Sequence, residues 1–248
     1  MKKKKNLKRT SKKSSYQRLI LKISGEILGG RNSIFNIPAI DYIVEQIAAA
    51  RNMGVKIGVV VGGGNLVRGR QISWLNKVDA DLCGMMATVI NGIVLHSRLL
   101  EHGITSRLCS SIEINGIIRR FNKFEDRKFY EKGEVLLFVA GTGNPLFTTD
   151  TAAALRAVEL DADILIKATK VEGVYTADPE KDKKAKLFKT LTFKEAIAKN
   201  LAVMDLSAFK ICKDAGVPIC VYNLMKYPLS RIIKGDKIGT FITKGRTK

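Results

Sequence analysis

The chain has 248 residues, of which 46% are hydrophobic and 27% charged, and its formal net charge is +20. A chain of this length buries a full core without disulfides or metal ions to stabilise it, and its composition is ordinary for a globular protein. Uninterrupted apolar runs such as 135–140 are far shorter than the ~20 residues of a membrane span. We therefore expect no transmembrane helix and no membrane partner.

Cysteine and histidine usage gives no metal-site pattern. The cysteines lie at positions 83, 109, 212 and 220, and no two of them have CxxC spacing, whereas metal and disulfide frameworks use clustered ligands. His96 and His102 lie six positions apart with no partner nearby. We predict free thiols in a reducing compartment, which fits a cytoplasmic protein, and no residues dedicated to a metal ion.

The first thirteen residues carry eight of the positive charges. They lack both the apolar pattern of a core element and the apolar segment of a secretory signal. Residues 1–15 are therefore predicted to form a disordered basic arm. Two interpretations stay open: a solvated tail with weak attraction to polyanions, or a segment that binds nucleic acid through its phosphates. The remaining charge of +12 suits anionic ligands without identifying them.

The first half of the chain alternates between strand and helix patterns. Residues 18–23 form an apolar run typical of a buried strand, and 41–53 has apolar residues at helical spacing before Gly54. The β-branched run 55–61 predicts a central strand. The next predicted elements are a helix at 81–100, a strand at 104–108 and a helix at 123–130.

The second half continues this alternation. Its predicted elements are strand 135–140, helix 149–160, strand 164–168, helices 193–199 and 206–214, strand 219–222, a short helix and a closing edge strand. Such alternation is typical of an α/β fold with right-handed βαβ crossovers and a mostly parallel sheet covered on both faces. No linker-like stretch interrupts it, so residues 16–248 are predicted to form a single domain.

Lys22 lies near the end of the first predicted strand, directly before the Ser24-Gly25 turn. A buried ammonium group needs a compensating anion, and a glycine lets backbone N–H groups approach that anion closely. The turn therefore indicates a phosphate site. The alternative is that Lys22 reaches solvent along its aliphatic stem.

Three glycines, at 62–64, follow the second predicted strand, and Arg68 comes shortly after. Successive N–H groups in such a turn form a nest for phosphate oxygens, and arginine adds a bidentate donor. The alternative is a tight strand-to-helix turn without a ligand.

The segment G-T-G-N-P-L-F-T-T-D at 141–150 precedes an alanine-rich helix. Thr148 or Thr149 is expected to cap that helix, whose N-terminus offers N–H groups to an anion. Asp150 in the first turn is either a cap residue or a carboxylate that holds lysines near reacting phosphates.

The segment K-A-T-K-V-E-G-V-Y-T-A-D-P at 167–179 joins a strand to a turn. Tyr175 is suited to stack on a purine and Asp178 to accept a hydrogen bond from a ribose hydroxyl. Taken alone, the segment also fits a plain hairpin. Ligands of parallel sheets lie beyond the carboxyl ends of the strands, so we expect all four turns at one edge of the sheet.

Motifs of several other nucleotide-binding folds are absent from the sequence. It contains no G-x-x-x-x-G-K-[ST] loop, no H-R-D or D-F-G set, and no G-x-G-x-x-G at the first helix. Instead, the blocks K-I-S-G-E, V-V-V-G-G-G-N-L-V-R-G, G-M-M-A-T-V-I-N-G, A-G-T-G-N-P-L-F-T-T-D and K-A-T-K-V-E-G-V-Y-T-A-D-P occur in this order. Together they resemble the amino acid kinase superfamily, and specifically the bacterial uridylate kinases, over residues 16–244.

This resemblance implies an αβα sandwich that transfers the γ-phosphoryl group of ATP, bound with Mg²⁺, to UMP. The N-terminal part would bind UMP and the C-terminal part ATP. The catalytic residues it implies are Lys22, Arg68 and Asp150. The implied ATP-binding residues are Lys22, Ile23, Ser24, Gly25, Gly64, Arg68, Thr169, Tyr175 and Asp178. The implied UMP-binding residues are Gly63, Asp81, Thr142, Gly143, Asn144, Pro145, Leu146, Phe147, Thr148 and Thr149. Lys167 is a further candidate at the transferred phosphate, and Asp205 matches a family aspartate without an assigned role.

The resemblance also implies a homohexamer with UTP as inhibitor and GTP as activator. The stretch 30–36, which is tied to the effector response, departs from the family pattern, so GTP stays a candidate activator only. Three other functions stay open: a related kinase acting on a carboxylate or carbamate, a nucleic-acid-binding protein that uses the arm, and an inactive sensor of UMP or UTP. The 141–149 segment argues against the first, the glycine turns against the second, and the complete set of polar phosphate-site residues against the third.

Overall fold

A central mixed sheet organises the molecule. The computed structural model describes residues 14–30, 32–67, 72–179, 181–201 and 203–245, and these contain eight strands in one sheet. The strands are β1 (Arg18–Ile23), β2 (Lys56–Val61), β3 (Ser106–Ser110), β4 (Val135–Val139), β5 (Ile164–Thr169), β6 (Thr190–Thr192), β7 (Ile219–Asn223) and β8 (Thr240–Thr243). Their order is β3-β4-β2-β1-β5-β7-β8-β6, and only the β7–β8 pair among these is antiparallel.

Helices cover both faces of this sheet. They are α1 (Gly25–Leu28), α2 (Ile37–Asn52), α3 (Lys77–Glu101), α4 (Lys123–Glu131), α5 (Thr149–Glu159), α6 (Phe193–Ala198), α7 (Leu206–Ala215) and α8 (Leu229–Ile233). One apolar core joins the sheet to α2, α3 and α8, and a second joins it to α4, α5, α6 and α7. The predicted α/β fold, a three-layer αβα sandwich with a mostly parallel sheet, is confirmed.

The alternation of side chains along β1 and β5 decides which face each lysine occupies. In β1, Leu21 belongs to the core on the α2 side, and Ile20 to the core on the α5 side. Successive side chains point to opposite faces, so Lys22 lies on the α5 side with Ile20. By the same parity, Lys167 lies on the α5 side with Leu165.

Two helices begin four residues earlier than expected. The helix predicted at 41–53 begins at Ile37, because Asn36 caps it through the N–H of Ala39. The helix predicted at 81–100 begins at Lys77, because the Asn76 side chain caps it in the same way. Both caps are asparagine side chains, a residue type preferred at the N-terminal caps of helices.

Two expectations about strands were wrong, and two short elements were not predicted. The strand predicted at 104–108 lies two residues further on, as β3. The closing strand β8 does not lie at the edge of the sheet, since the unpredicted β6 pairs with its outer side. The short helix α1 was also not predicted. Elements of three or four residues are too short to carry a periodic signal.

Helix α3 bears on the expectation that the chain has no transmembrane helix. By length and composition alone this helix could cross a membrane. It was not detected from uninterrupted apolar runs, because scattered polar residues divide its apolar residues into short runs. Its Val89, Leu95 and Leu99 are buried in the cores beside the sheet. Length and composition do not separate a membrane span from a helix of the core, and one face of α3 packs against the sheet while the other is exposed. Of the predicted basic arm, residues 1–13 lie outside the described residues.

Candidate active site

Two lysines and one aspartate form a buried cluster at the carboxyl end of the sheet. Lys22 and Lys167 are register partners on adjacent strands. Asp150, in the first turn of α5, reaches between them: its Oδ1 lies 3.0 Å from Nζ of Lys22 and its Oδ2 lies 2.6 Å from Nζ of Lys167. Lys22 is only 7% exposed, so the alternative that it reaches solvent is wrong.

The charges in this cluster do not cancel. Burial by itself would raise the pKa of Asp150, but the ammonium groups of Lys22 and Lys167 outweigh this effect and hold the pKa below its ordinary value. Burial lowers the pKa of Lys167, and the charge of Asp150 opposes that lowering. One carboxylate facing two ammonium groups leaves an excess of positive charge, which an anion such as a phosphate would compensate.

The cap of α5 aims Asp150 at the sheet. The hydroxyl of Thr148, not the carboxylate of Asp150, caps this helix by accepting from the N–H of Asp150 at 3.0 Å. The interpretation of Asp150 as a cap residue is therefore wrong. Oδ1 of Asp150 faces Lys22 as an ion pair at 3.0 Å, and a hydrogen bond from Lys22 contributes to lowering the pKa of Asp150. Lys167 donates a further hydrogen bond to the carbonyl of Val203.

The glycine turns after β1 and β2 pack directly on each other. A Cβ at Gly25 would lie 2.4 Å from the backbone nitrogen of Gly64, and one at Gly62 would lie 2.8 Å from that of Gly25. A Cβ at Gly63 would lie 2.8 Å from the carbonyl oxygen of Gly84 in α3. Three of these glycines thus serve close packing. At Gly64 a Cβ would make an ordinary 3.6 Å contact with Glu26, so packing does not require this glycine.

A cavity of about 250 Å³ opens between this glycine turn, the start of α3 and the loop before α5. We call it the smaller cavity. Its lining residues are Gly63, Gly64, Val67, Ala80, Asp81, Gly84, Met85, Thr88, Gly141, Phe147, Thr148 and Thr149. Five of the residues predicted to bind UMP are among them: Gly63, Asp81, Phe147, Thr148 and Thr149. Thr142, Gly143, Asn144, Pro145 and Leu146 lie in the same loop but do not line the cavity.

The loop from 140 to 146, between β4 and α5, is held in a strained conformation. Ala140 and Leu146 have φ of 59° and 70°, a left-handed region that costs a non-glycine residue about 1–2 kcal/mol. Thr88 accepts a hydrogen bond from the N–H of Ala140 at 2.7 Å, and Asp81 accepts one from the N–H of Leu146 at 2.8 Å. Ser111 donates to the carbonyl of Gly141 at 2.7 Å. These contacts fix the loop without a ligand.

A second cavity, of about 460 Å³, lies beyond β5. We call it the larger cavity. Its lining residues are Val171, Gly173, Val174, Tyr175, Thr176, Ala177, Asp178, Pro179, Lys199, Asn200, Leu201 and Val203. It includes Tyr175 and Asp178, two of the residues predicted to bind ATP. Ile23 and Thr169 are the last residues of β1 and β5 at this edge of the sheet, Ser24 directly follows β1, and Arg68 lies outside the described residues.

The lysine cluster lies next to residues of both cavities. Asp150 directly follows Thr149, which lines the smaller cavity, and Lys167 bonds the carbonyl of Val203, which lines the larger one. The excess positive charge of the cluster thus lies beside lining residues of both cavities. The arrangement suits transfer of an anionic group between two anionic molecules.

Sequence reasoning missed several residues of the site. Thr88 and Met85 lie inside α3, where nothing in the helical pattern distinguishes them. Lys199, Asn200 and Val203 lie after α6, in a stretch without glycine motifs. Asn200 has a left-handed φ of 46°, and an asparagine just past a helix is a recognisable signal for that conformation.

Comparison with known proteins identifies the family. The model of the amino acid kinase family matches residues 17–223. The chain belongs to the amino acid kinase family. It is 45% identical over 231 residues to the uridylate kinase of Haemophilus influenzae (strain PittGG), covering 92% of this chain and 98% of that protein. It is 42% identical over 240 residues to the uridylate kinase of Pectobacterium atrosepticum, covering 95% and 99%.

Solved structures agree with these relatives. The crystal structure of UMP kinase from Bacillus anthracis superposes with a TM-score of 0.88 at 30% identity, covering 93% of this chain and 97% of that one. The structure of UMP kinase from Ureaplasma parvum gives a TM-score of 0.85 at 33% identity, covering 92% and 99%. The resemblance to bacterial uridylate kinases is confirmed.

Proposed function

We propose that this protein is a UMP kinase, a nucleoside-monophosphate kinase that transfers the γ-phosphoryl group of ATP to UMP in pyrimidine nucleotide biosynthesis. The observation that carries this proposal is the buried cluster of Lys22, Lys167 and Asp150, with its excess positive charge, between two cavities. The near full-length similarity to uridylate kinases supports UMP as the acceptor.

In this proposal the domain of residues 16–248 divides the substrates between its two parts. UMP occupies the smaller cavity, where Asp81 accepts from ribose hydroxyls and the residues of 142–149 surround the nucleotide. ATP occupies the larger cavity, with Tyr175 stacked on the adenine and Asp178 at the ribose. Ile23, Ser24, Gly25, Gly64, Arg68 and Thr169 complete the donor side, and Gly64 lies at its boundary with the acceptor because it also lines the smaller cavity.

The proposed mechanism needs no general base. The phosphate of UMP is largely a dianion near neutral pH, because its second pKa is about 6. Catalysis then consists of aligning two anions and neutralising charge on the transferred group. Lys22 and Lys167 supply positive charge at that group, with Arg68 as a third cation. Asp150 has the wrong sign to stabilise the transition state and acts by orienting the two lysines.

We propose that Mg²⁺ binds together with ATP. The described residues contain no group of three or more histidine, cysteine, aspartate or glutamate side chains that could hold a metal ion. Asp150 is already paired with two lysines. Mg²⁺ bound with ATP would then be held mainly by phosphate oxygens and water, as is usual in kinases, and would supply positive charge at the phosphates.

We further propose a cytoplasmic homohexamer that UTP inhibits, with GTP as a candidate activator. An apolar stripe along the outer face of α3 supports self-association. Its residues, each at least 40% exposed, are Val78, Leu82, Met86, Ile90, Ile93 and Leu100. A two-fold axis would lay this stripe against its own copy. Light scattering of the wild type and of Ile90→Glu, which measures the molar mass of the assembly, tests this proposal. An Ile90→Glu variant with the molar mass of the wild type would show that the stripe is not an interface.

The test of function is ADP release with MgATP and separate acceptors: UMP, CMP, dUMP, aspartate, glutamate and carbamate. We expect release with UMP far above that with CMP. Release with aspartate, glutamate or carbamate but with no nucleotide would reassign the protein to a related kinase and cancel the acceptor roles of 142–149. UTP and GTP titrations of the active reaction test the effectors.

A further inference from the structure

Asp205 makes more hydrogen bonds than its place at the start of α7 requires. Its Oδ1 caps that helix by accepting from the N–H of Ala208 at 2.7 Å. A cap of this kind needs only one side-chain oxygen. The carboxylate nevertheless accepts from two hydroxyl groups of another helix as well, so capping alone does not account for it.

One of these hydroxyls belongs to the N-cap residue of α5, Thr148, and the other to its first turn. Thr148 Oγ1 donates to Oδ2 of Asp205 at 2.5 Å, and Thr151 Oγ1 lies 2.8 Å from each carboxylate oxygen. Thr151 is 2% exposed. Hydrogen bonds to an ionised acceptor are roughly twice as strong as those between neutral groups. Asp205 therefore clamps α5 on either side of Asp150.

The segment that leads to Asp205 also reaches the other side of the cluster. Two residues earlier, the carbonyl of Val203 accepts from Lys167, the partner of Asp150. Thr148 lines the smaller cavity, and Val203 lines the larger one. The approach to α7 thus holds Asp150 and Lys167 from two directions.

We propose that Asp205 is a positioning residue for phosphoryl transfer, which fixes the first turn of α5 and thereby the acceptor wall at Thr148 and the orientation of Asp150. This inference rests on the proposed function for its kinetic consequences. Asp205 touches neither reacting group in this scheme; it acts through Thr148 and Thr151. Without it, Thr151 loses its partner for a buried hydroxyl, and the turn that carries Asp150 gains freedom.

The variant Asp205→Asn separates the clamp from the cap. Asparagine caps helices about as well as aspartate, so α7 keeps its N-terminal hydrogen bond, while the side chain loses its charge and one acceptor oxygen. We expect kcat/KM for UMP to fall about tenfold, the scale of one charge-assisted hydrogen bond, with KM for ATP changed less than about twofold. If Asp205 had only a structural role, the variant would have a lower melting temperature, and UMP and ATP kinetics would not differ in this way.

Thr151 provides the matched pair of variants. Thr151→Val keeps the shape and removes the hydroxyl, so it should reproduce the loss in kcat/KM for UMP, whereas Thr151→Ser should retain most of the activity. Because both changes break the same contact, the double variant Asp205→Asn, Thr151→Val should lose less than the product of the single losses. Full multiplicativity of the two losses would overturn the proposal.

Amide hydrogen exchange of the full chain without substrates tests the clamp independently of the reaction. Exchange at residues 150–152 should speed up in Asp205→Asn, with α7 unchanged. Unchanged exchange at 150–152 would overturn the inference whatever the kinetics. A wild type inactive with every acceptor, but with the expected exchange pattern in the variant, would instead reject the proposed function and leave the clamp standing.

Discussion

Replacing Asp150 by asparagine tests the charge balance of the buried cluster. The change removes the carboxylate that lies 3.0 Å from Lys22 and 2.6 Å from Lys167, and it leaves both ammonium groups buried. Breaking a buried ion pair costs about 3–5 kcal/mol. Lys167 keeps its hydrogen bond to Val203, so the lower end applies. We expect Asp150→Asn to lower the free energy of unfolding by about 3 kcal/mol at about pH 7.

The pH dependence of this loss has a defined sign. The two lysines hold the folded-state pKa of Asp150 below its ordinary value despite burial. Its stabilising contribution is therefore full above the unfolded-state pKa of about 3.9, and it is lost as the pH falls through the lower folded value. The difference between wild type and variant should stay constant from about pH 5 to 7 and shrink in more acidic solution.

Urea unfolding followed by circular dichroism, at one fixed protein concentration, measures both effects. Asp236→Asn is the matched control, because it makes the same chemical change in an exposed ion pair with Arg231 at 2.7 Å. Exposed pairs contribute about 0–1 kcal/mol, so the control should unfold close to the wild type. An Asp150→Asn variant as stable as this control would refute the view that the carboxylate compensates two buried charges.

Three further predictions concern the two lysines and the glycine turns. Lys22→Ala should lower kcat by at least about a hundredfold, as loss of a charge-stabilising donor does, while UMP affinity changes far less; near-normal kcat with a raised KM for UMP would contradict its role. Burial lowers the pKa of Lys167, so kcat/KM for ATP should decline at a pH below that at which an exposed lysine loses its proton; a profile flat up to about pH 10 would count against Lys167. Gly25→Ala places a Cβ 2.4 Å from the nitrogen of Gly64 and should cost about 1–3 kcal/mol of stability, whereas Gly64→Ala should cost less; equal urea midpoints for the two variants would contradict the close packing of the turns.

The sequence was informative wherever a residue type conflicted with its surroundings. Lys22 at the end of an apolar strand indicated a compensating anion, which was expected to be a phosphate; in the structure the carboxylate of Asp150 faces it. The alternation of strand and helix patterns fixed the layers of the fold because each pattern has its own period. A charged residue in an apolar strand and the alternation of strand and helix periods can both be recognised within a short stretch of sequence, and both have large energetic consequences. For this reason the fold and the position of Lys22 in the site could be predicted.

The remaining parts of the site depend on contacts that no local pattern records. Thr88 holds Ala140 across 52 positions of sequence, and Asp205 reaches Thr151 across 54. The roles of Gly25 and Gly62 as packing residues appear only when the two turns lie against each other. Sequence reasoning assigned these glycines to a ligand because a close approach to a phosphate and one to another backbone demand the same residue.

The pairing of Lys22 with Lys167 also bears on how the chain finds its fold. Parallel strands rich in valine, isoleucine and leucine can slide past one another with little change in apolar contact. A shift of one residue in β1 would carry Lys22 to the opposite face, among the neighbours of Leu21 and Ile23 and away from Asp150, because side chains alternate along a strand. An ammonium group buried there would have no counter-charge, so the misaligned sheet would be less stable. The charged residues proposed to handle phosphate would thus also mark the one alignment in which the central strands fold stably.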